Sequence, residues 1–343
     1  MKLGLSPMDG VTDAAMRYMT AKYSRPDFLF TEFVSVDALH FATGERRERL
    51  LKTFIRAKQV AELQSSDHSP KDRQGSELGV GRWPLEIAQV FGHTPEYFKE
   101  AAVLIEKLGF DGIDINMGCP MHKVEDQGSG AGLIRTPELA KEIIKTVKAA
   151  TNLPVSVKTR IGVDKDVVEE WMEHLMEVKP VMISLHGRTL RQLYQGRADW
   201  DSIERAAKVV HKYGGVIMGN GDVQSVDEAR EKVVKYGVDG VLIGRAAEGN
   251  PAIFISHYTN TPLDHLSPSK EQRLAWMLEH AKIYELLNKP LNHYTIEDNR
   301  WFMPMRKHLA WYCKGFEGAV TTRSRLMLTN SAEEVEKIVQ SAI

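Results

Sequence analysis

Polar residues whose side chains could take part in chemistry stand at the ends of seven short apolar runs along the chain. They are Ser6-Pro7-Met8, Gln89, Asn116 with Cys119, Lys158 with Arg160, His186 with Arg188, Asn220-Gly221-Asp222 and Gly244-Arg245. Any one of them is explained equally well as a loop residue that satisfies local backbone groups. The whole series is not, so the pattern indicates one functional site to which many segments contribute.

Two glycine turns at the ends of the last two runs predict a phosphate site. Glycine at Gly221 and Gly244 lets backbone amides approach a phosphate closely, and Arg245 can add a positive charge. The segment from 249 to 251 (GNP) is expected to open a helix whose N-terminus faces the same point. The phosphate of flavin mononucleotide (FMN) is the most economical occupant. Either turn alone would be interpreted as a surface turn.

Lys158 follows an apolar run, VSV, and a lysine that points into a site needs an anionic partner. The ring of a reduced flavin supplies one, because it is readily anionic at its pyrimidine edge. Gln89 could hydrogen-bond the same edge, since a side-chain amide both donates and accepts. The alternative for Lys158 is an exposed lysine at a strand end.

Cys119 stands in the segment NMGCP and is followed by Lys123 and a glycine-rich run, GSGAG. A cysteine between Gly118 and Pro120 is unlike a packed core residue, and a thiol on a loop can act as a lid that delivers a proton. Cys313, in the segment HLAWYC, is predicted to be a core residue.

His186 is predicted to contact a ligand because it ends a strand beside Arg188. Tyr194 and Trp200 follow in the next loop. For both aromatic residues we favour packing of that loop over stacking on a base.

The segments that must position these residues alternate between short β-branched runs and helix-period stretches. Eight runs are predicted as strands: Leu3 to Met8, Phe28 to Val34, Glu86 to Gly92, Gly112 to Gly118, Val155 to Gly162, Val181 to Thr189, Val216 to Val223 and Gly240 to Ala246. Helix starts are predicted at Thr94-Pro95 and Thr136-Pro137, and a capping box at Ser225 with Glu228. Eight βα units without a nucleotide fingerprint after the first strand predict a (β/α)8 TIM barrel, an α/β fold.

Two intervals interrupt this rhythm. Residues 64–83 are polar and rich in glycine and serine, which predicts an inserted surface loop. A proline-containing stretch near 263–269 separates the barrel from a segment that no longer alternates with strands. We therefore predict a catalytic barrel over 1–260 and a small C-terminal helical-bundle domain over 265–343.

The overall composition excludes several classes of protein. The net charge is -1, so binding to a polyanion has to come from local clusters of basic residues. No apolar stretch approaches the roughly 20 residues of a membrane helix, and the first residues show no signal peptide pattern. Two cysteines without a CxxC or HExxH spacing indicate neither a disulfide framework nor a metal site. We expect a cytoplasmic protein, monomeric, without metal or membrane.

The quoted segments, taken in order, resemble the tRNA-dihydrouridine synthase family across nearly the whole chain. They are SPMDGVTDAAMR, TEFVS, AQVFG, DINMGCPMHKV, GSGAGL, VSVKTRIG, HGRT, GNGDV, GRAAEGNPAIF and RKHLAWYCKG. The resemblance implies reduction of the C5=C6 bond of uridine in the tRNA D-loop, with FMN as cofactor and NADPH as reductant. The sequence departs from the family at Ser6, where alanine is common, and in the longer connection over 64–83.

The resemblance also implies roles for single residues. Hydride would pass from FMN to C6, and Cys119 would give a proton to C5. FMN is expected at Pro7, Met8, Asp9, Gln89, Lys158, His186, Asn220, Gly221, Asp222, Gly244 and Arg245. The target nucleotide has to leave the tRNA stack to reach the barrel mouth. Contacts to the substrate are expected from Asn116, Lys123, Arg160 and Arg188, with His186 also able to hold the uracil edge.

The helical tail carries a cluster of basic residues that acids do not interrupt. Between 300 and 325 the cluster holds Arg300, Arg306, Lys307, Lys314, Arg323 and Arg325 against Glu317 alone. We expect Arg306, Lys307 and Arg323 to grip the tRNA backbone. An enzyme like dihydroorotate or dihydropyrimidine dehydrogenase, acting on a free pyrimidine, would have no use for such a tail. A non-catalytic RNA-binding barrel would have no use for Lys158 and Cys119.

Overall fold

The protein folds into a closed barrel of eight parallel strands in sequential order, with the last strand beside the first. The computed structural model describes residues 1–66, 83–119, 128–259, 268–289 and 299–342. The strands are β1 (Lys2–Leu5), β2 (Phe28–Ser35), β3 (Leu85–Phe91), β4 (Gly112–Met117), β5 (Val155–Arg160), β6 (Ile183–His186), β7 (Ile217–Asn220) and β8 (Gly240–Ile243). All eight predicted runs become strands, so the predicted (β/α)8 barrel is confirmed. Most end earlier than predicted, because the polar residues that follow already belong to loops.

Helices surround the barrel. They are α1 (Ala14–Tyr23), α2 (Val36–Phe41), α3 (Gly44–Lys52), α4 (Ala57–Ser66), α5 (Pro95–Lys107), α6 (Pro137–Ala150), α7 (Val168–Met176), α8 (Trp200–Lys212) and α9 (Val226–Tyr236). Proline occupies the first turn of α5 and of α6, as predicted, although neither threonine caps through its side chain. Ser225 accepts a hydrogen bond from the Glu228 N–H, as predicted for a capping box. The Glu228 carboxylate accepts from the N–H of Gln224, one residue before the N-cap Ser225.

The predicted loop at 64–83 begins later than expected, since Gln64 still belongs to α4. The rest of that segment, from 67 to 82, lies outside the described residues, and so does Lys123. The predicted domain boundary between 260 and 265 lies outside them as well.

A helical region follows the barrel in sequence and packs against α1, the first helix of the barrel. It contains α10 (Ser256–Thr259), α11 (Lys270–Asn288), α12 (Met303–Tyr312), α13 (Ala319–Leu326) and α14 (Ala332–Ala342). Lys22 and Tyr23, at the end of α1, both bind Glu279 of α11, and the rings of Tyr23 and Trp276 lie 5.3 Å apart. Barrel and helical region therefore share an interface. None of the described helices is both long enough and apolar enough to cross a bilayer.

The expected helix at 249–251 is wrong. Turns occupy 251–255, and only the short α10 follows. Gly249 has a φ of +70°, and a Cβ there would lie 2.3 Å from the carbonyl oxygen of Trp311 in α12. Gly249, which the sequence pattern assigns to a helix start, instead allows α12 to approach closely.

The barrel interior is filled in layers, as side chains alternate between the lumen and the outer helices. The lower part of the lumen is closed by an apolar plug of five buried side chains and one that is partly buried. The plug consists of Phe30, Ile87, Met182, Met218 and Leu242, with Phe28 against them. Above it the lumen becomes polar and leads into a cavity.

Candidate active site

A cavity of about 570 Å³ lies at the carboxyl ends of the strands, the catalytic face of such barrels. The predicted residues that line it are Pro7, Met8, Asp9, Asn116, Cys119, Lys158, Arg160, His186, Asn220, Gly221, Asp222, Gly244 and Arg245. Residues far apart in sequence therefore meet in one place. The clustering inferred from the strand ends is confirmed, whereas the role of each residue stays a prediction.

Lys158 stands in the middle of the cavity wall above a buried carboxylate. Asp114, fully buried in the lumen, accepts hydrogen bonds from Ser156 at 2.6 Å and Gln89 at 2.7 Å. Burial nevertheless raises the pKa of Asp114 to about 6. Burial, and then repulsion by Arg160, lowers the pKa of Lys158 to about 8. Among the described residues no acceptor lies within hydrogen-bond reach of the Lys158 ammonium, so an electron-rich ligand could take that place.

Gln89 does not face the cavity. Its side chain is fully buried, with its amide nitrogen donating to Asp114 and its amide oxygen accepting from Asn116 at 2.9 Å. In the structure both groups of the Gln89 amide are bound to protein neighbours, and the ligand contact predicted for it stays a prediction. Gln89 links the carboxylate below Lys158 to the residue that holds the Cys119 loop.

Asn116 fixes the backbone around Cys119. Its amide oxygen accepts from the N–H groups of Gly118 at 3.0 Å and Cys119 at 2.8 Å, and its amide nitrogen donates to Gln89. One amide hydrogen remains for a ligand, in line with the predicted substrate contact. Cys119 is 3% exposed and borders the cavity.

Arg160 and His186 add polar groups to the wall opposite β1. Arg160 donates to the carbonyls of Gly118 at 2.8 Å and Thr189 at 3.0 Å, so it ties two loops together. Burial, and then the charges of Lys158 and Arg160, lower the pKa of His186 well below its ordinary value. His186 is thus neutral at pH 7. Its Nε2 lies 3.3 Å from Arg188, which can only donate, so the ring proton belongs on Nδ1.

The two predicted phosphate turns have the backbone geometry of close-approach sites. Gly221 has a φ of +134° and Asp222 a φ of +58°, so two successive residues leave the ordinary regions. Gly244 faces Met8 and Ser6, which a Cβ would meet at 3.3 and 3.6 Å. Gly244 itself lies in the wall of the cavity.

Arg188 lies behind the cavity and not in it. It is 1% exposed, forms a two-pronged ion pair with Asp222, and donates to the carbonyls of Gln195 and Gly196. In the structure Arg188 is bound to protein groups, and the substrate contact predicted for it stays a prediction. A guanidinium with this many acceptors holds the strained Asp222 turn to the loop after β6. Asp222 also accepts from Arg245 at 2.7 Å, which fixes the arginine at the cavity rim.

The two aromatic residues that follow β6, Tyr194 in the loop and Trp200 at the start of α8, have different surroundings. Trp200 is buried and its indole N–H donates to the Gly221 carbonyl at 3.1 Å, so the packing prediction is confirmed for it. For Tyr194 the packing prediction is wrong, because its side chain is 64% exposed and borders the cavity. The guanidinium of Arg245 lies 5.5 Å from the centre of the Tyr194 ring.

Several functional candidates were missed at the sequence level, among them Phe33 and Glu248 in the cavity wall. Glu32, just behind the β1 loop, is another, and burial followed by the charge of Asp13 raises its pKa to about 7. The register of β2 against β3 shifts between Phe30 and Phe33, so Glu32 lies at a bulge that strict alternation does not predict.

The three tail residues predicted to grip RNA have different surroundings. Arg306 donates to the Thr329 carbonyl at 2.9 Å and to the Asn330 side chain at 2.7 Å, which gives it a structural role. Lys307 points toward Gly10 at the edge of the barrel mouth. Arg323 is exposed on α13 and keeps the character of a surface cation. Among the described residues no cluster of potential ligands could hold a metal ion.

Solved structures support the fold. A mutant of morphinone reductase in complex with tetrahydroNAD is 10% identical in sequence, with a TM-score of 0.51 over 76% of this chain and 87% of that one. A second structure of morphinone reductase gives a TM-score of 0.50 over 76% and 86%. At this identity the likeness concerns the barrel architecture alone.

Sequence relatives identify the family. The model of the dihydrouridine synthase (Dus) family matches residues 4–343. A probable tRNA-dihydrouridine synthase 1 of Synechocystis is 34% identical over 342 residues, which is 98% of this chain and 85% of the relative. A probable tRNA-dihydrouridine synthase of Staphylococcus aureus is 32% identical over 338 residues, 98% of this chain and 91% of the relative. The chain therefore belongs to the dihydrouridine synthase family of oxidoreductases.

Proposed function

We propose that the protein reduces the C5=C6 bond of uridine in the D-loop of tRNA, with FMN as cofactor and NADPH as reductant. The observation that carries the proposal is the meeting of Lys158 and Cys119 in one cavity of a chain from this family. A ligand between them would have a cation on one side and a thiol on the other. A tRNA substrate would place the enzyme in the cytoplasm.

The residues present fit a flavin nucleotide. The Lys158 ammonium has no acceptor among the described residues, which suits the electron-rich edge of an isoalloxazine ring. Gly244 lies in the cavity wall, and Arg245 stands at the rim with its guanidinium fixed by Asp222. These are the features of a phosphate site in the loops after the last two strands of a barrel. Lys158 would hold the ring, and Gly221, Gly244 and Arg245 the phosphate.

When bound, FMN supplies the hydride chemistry, and the chain's own residues supply binding, orientation and the proton. The neutral His186, whose Nε2 accepts from Arg188, could donate from Nδ1 to a polar ligand edge. Arg160, buried beside it, favours negative charge on a ligand oxygen. Cys119 would act as the general acid, giving the proton of Sγ to C5 of the uracil as negative charge develops there.

Exchange of the proposed acid tests the function. We expect Cys119→Ala to slow dihydrouridine formation in tRNA by roughly 10²- to 10⁴-fold, the usual contribution of a general acid. NADPH oxidation without tRNA should be unchanged, because Cys119 has no part in it. Rates of both half-reactions in a stopped-flow instrument are the measurement, with Cys313→Ala as the matched control in the buried tail. Equal loss of both half-reactions would contradict the assignment, and turnover of free uracil in place of tRNA would favour a dehydrogenase of free pyrimidines.

The exposed cations of the helical tail are proposed to bind the tRNA backbone. Lys314 and Arg323 are the exposed members of the basic cluster that suit this role. Removal of one cation that binds a phosphate should flatten the log-log salt dependence of tRNA affinity by about 0.7 to 0.9. Lys314→Gln and Arg323→Gln are the variants, filter binding at several salt concentrations is the assay, and Lys208→Gln on α8 is the control. Slopes equal to that of the control would contradict the proposal.

A further inference from the structure

The loop after β1 forms one wall of the cavity with Pro7, Met8 and Asp9 and then turns at Gly10, whose φ is +68°. Thr12 closes this turn from within. Its hydroxyl accepts from the Met8 N–H at 3.0 Å, and the Met8 carbonyl accepts from the Thr12 N–H at 3.0 Å. The backbone groups of Gly10 take no part in that closure. They are left to bind groups outside the loop.

The barrel binds Gly10 from one side. The Glu32 carboxylate, at the bulge of β2, accepts a hydrogen bond from the Gly10 N–H. Asp13 stands next to it and caps α1, with its Oδ1 accepting from the Met16 N–H at 2.8 Å. The Gly10 turn is thereby attached to the sheet.

The helical region binds Gly10 from the other side, through α12. His308 donates to the Gly10 carbonyl, and the Lys307 ammonium lies 2.7 Å from the point that a Cβ on Gly10 would occupy. His308 is 2% exposed, and burial lowers its pKa to about 3. Since it is neutral, its 3.9 Å approach to Asp13 is no ion pair, and its hydrogen bond to Gly10 is the contact that joins it to the barrel.

The same helix touches a second wall of the cavity. The backbone of Trp311 lies so close to Gly249 that a Cβ there would come within 2.3 Å of the Trp311 oxygen. Gly249 directly follows Glu248, which lines the cavity together with Arg245. One helix of the tail therefore packs against both loops between which the ligand would lie.

We propose that His308 is a positioning residue of the cofactor site. Through Gly10 it fixes the wall formed by Pro7, Met8 and Asp9 against the barrel, so that the helical region takes part in cofactor binding as well as in tRNA binding. The inference rests on the proposed FMN site. It adds to it a residue that lies far beyond the barrel strands in sequence, on a helix that the fold places at the edge of the mouth.

The test exchanges the two buried imidazoles of the tail one at a time. His280 and His308 lie 4.8 Å apart in the same core, and of the two His308 reaches the barrel loop. We expect His308→Phe to raise the Kd for FMN roughly tenfold, the effect of removing one buried hydrogen bond. His280→Phe, the matched control, should leave that Kd unchanged. His308→Gln keeps an N–H donor and should restore most of the affinity.

Kd values come from the quenching of FMN fluorescence on titration of the flavin-free protein, and tRNA affinity is measured in parallel. Wild-type protein without affinity for FMN would refute the proposed function itself. Wild-type affinity with equal Kd values for the two phenylalanine variants would refute the role of His308 alone. Failure of His308→Gln to recover affinity would do the same, because it would leave packing as the cause. If His308→Phe does not fold, His308→Leu takes its place with the same expectations.

Discussion

Asn116 offers a measurable link between a buried hydrogen-bond network and the reactivity of Cys119. In Asn116→Ala three groups lose their partner: the N–H groups of Gly118 and Cys119 and the amide oxygen of Gln89. At about 0.5 to 1.5 kcal/mol each, the loop is destabilised by about 1.5 to 4.5 kcal/mol. That corresponds to a roughly 10- to 2000-fold increase in the population of open loop conformations.

Alkylation with iodoacetamide reads out this opening, because the Cys119 thiol is only 3% exposed in the closed loop. Peptide mass spectrometry follows both cysteines at once. We expect faster alkylation of Cys119 in Asn116→Ala, while Cys313, 4% exposed in the tail, reacts as before and serves as the internal standard. Thr159→Val is the control, since it removes two hydrogen bonds of the neighbouring strand that do not involve the loop. An unchanged Cys119 rate in Asn116→Ala would refute the reasoning.

Two further predictions concern the flavin cradle. Gly221→Ala should lower the melting temperature and abolish FMN binding, because Gly221 has a φ of +134° and an added Cβ would lie only 2.4 Å from that of Ala198. Gly237→Ala is the control in thermal melts, since Gly237 also has a positive φ but has open space around it. Equal effects of the two substitutions would contradict the argument. FMN affinity should fall as the pH rises through about 8, since Lys158 is charged below its pKa and neutral above it. Titrations across that pH should show no such fall in Lys158→Met, and a parallel fall in both proteins would exclude Lys158 as the cause.

The order of the elements and the location of the site could be predicted from the sequence. In a parallel barrel every strand points its carboxyl end to the same face, so a polar residue such as Lys158 at a strand end has few other places to be. The position of a residue in a strand does not tell whether its long side chain reaches the cavity or binds a neighbouring side chain. Gln89 and Arg188 both bind carboxylates of the protein, Gln89 the buried Asp114 and Arg188 the partly exposed Asp222. Such pairings depend on distances between strands that are not adjacent in sequence.

Local irregularities account for the other differences. Glu32 escaped notice because a bulge breaks the alternation of β2, and bulges leave no reliable pattern in a single sequence. Tyr194 was assigned to packing because an aromatic residue usually is, yet two arginines hold its loop by backbone carbonyls and leave the ring exposed. Gly249 was assigned to a helix start, but it makes room for α12, a helix distant from it in sequence.

The apolar plug in the lower lumen has a consequence for kinetics. Phe30, Met218 and Leu242 close the barrel from below, so within the described residues the cavity opens toward the carboxyl face of the sheet. If a small reductant and a large RNA both have to reach the bottom of this cavity, they cannot occupy it together. We then expect the first product to depart before the second substrate enters, and double-reciprocal plots at several reductant concentrations to run parallel. The closed lower end of the barrel would thus set the order in which the two substrates bind.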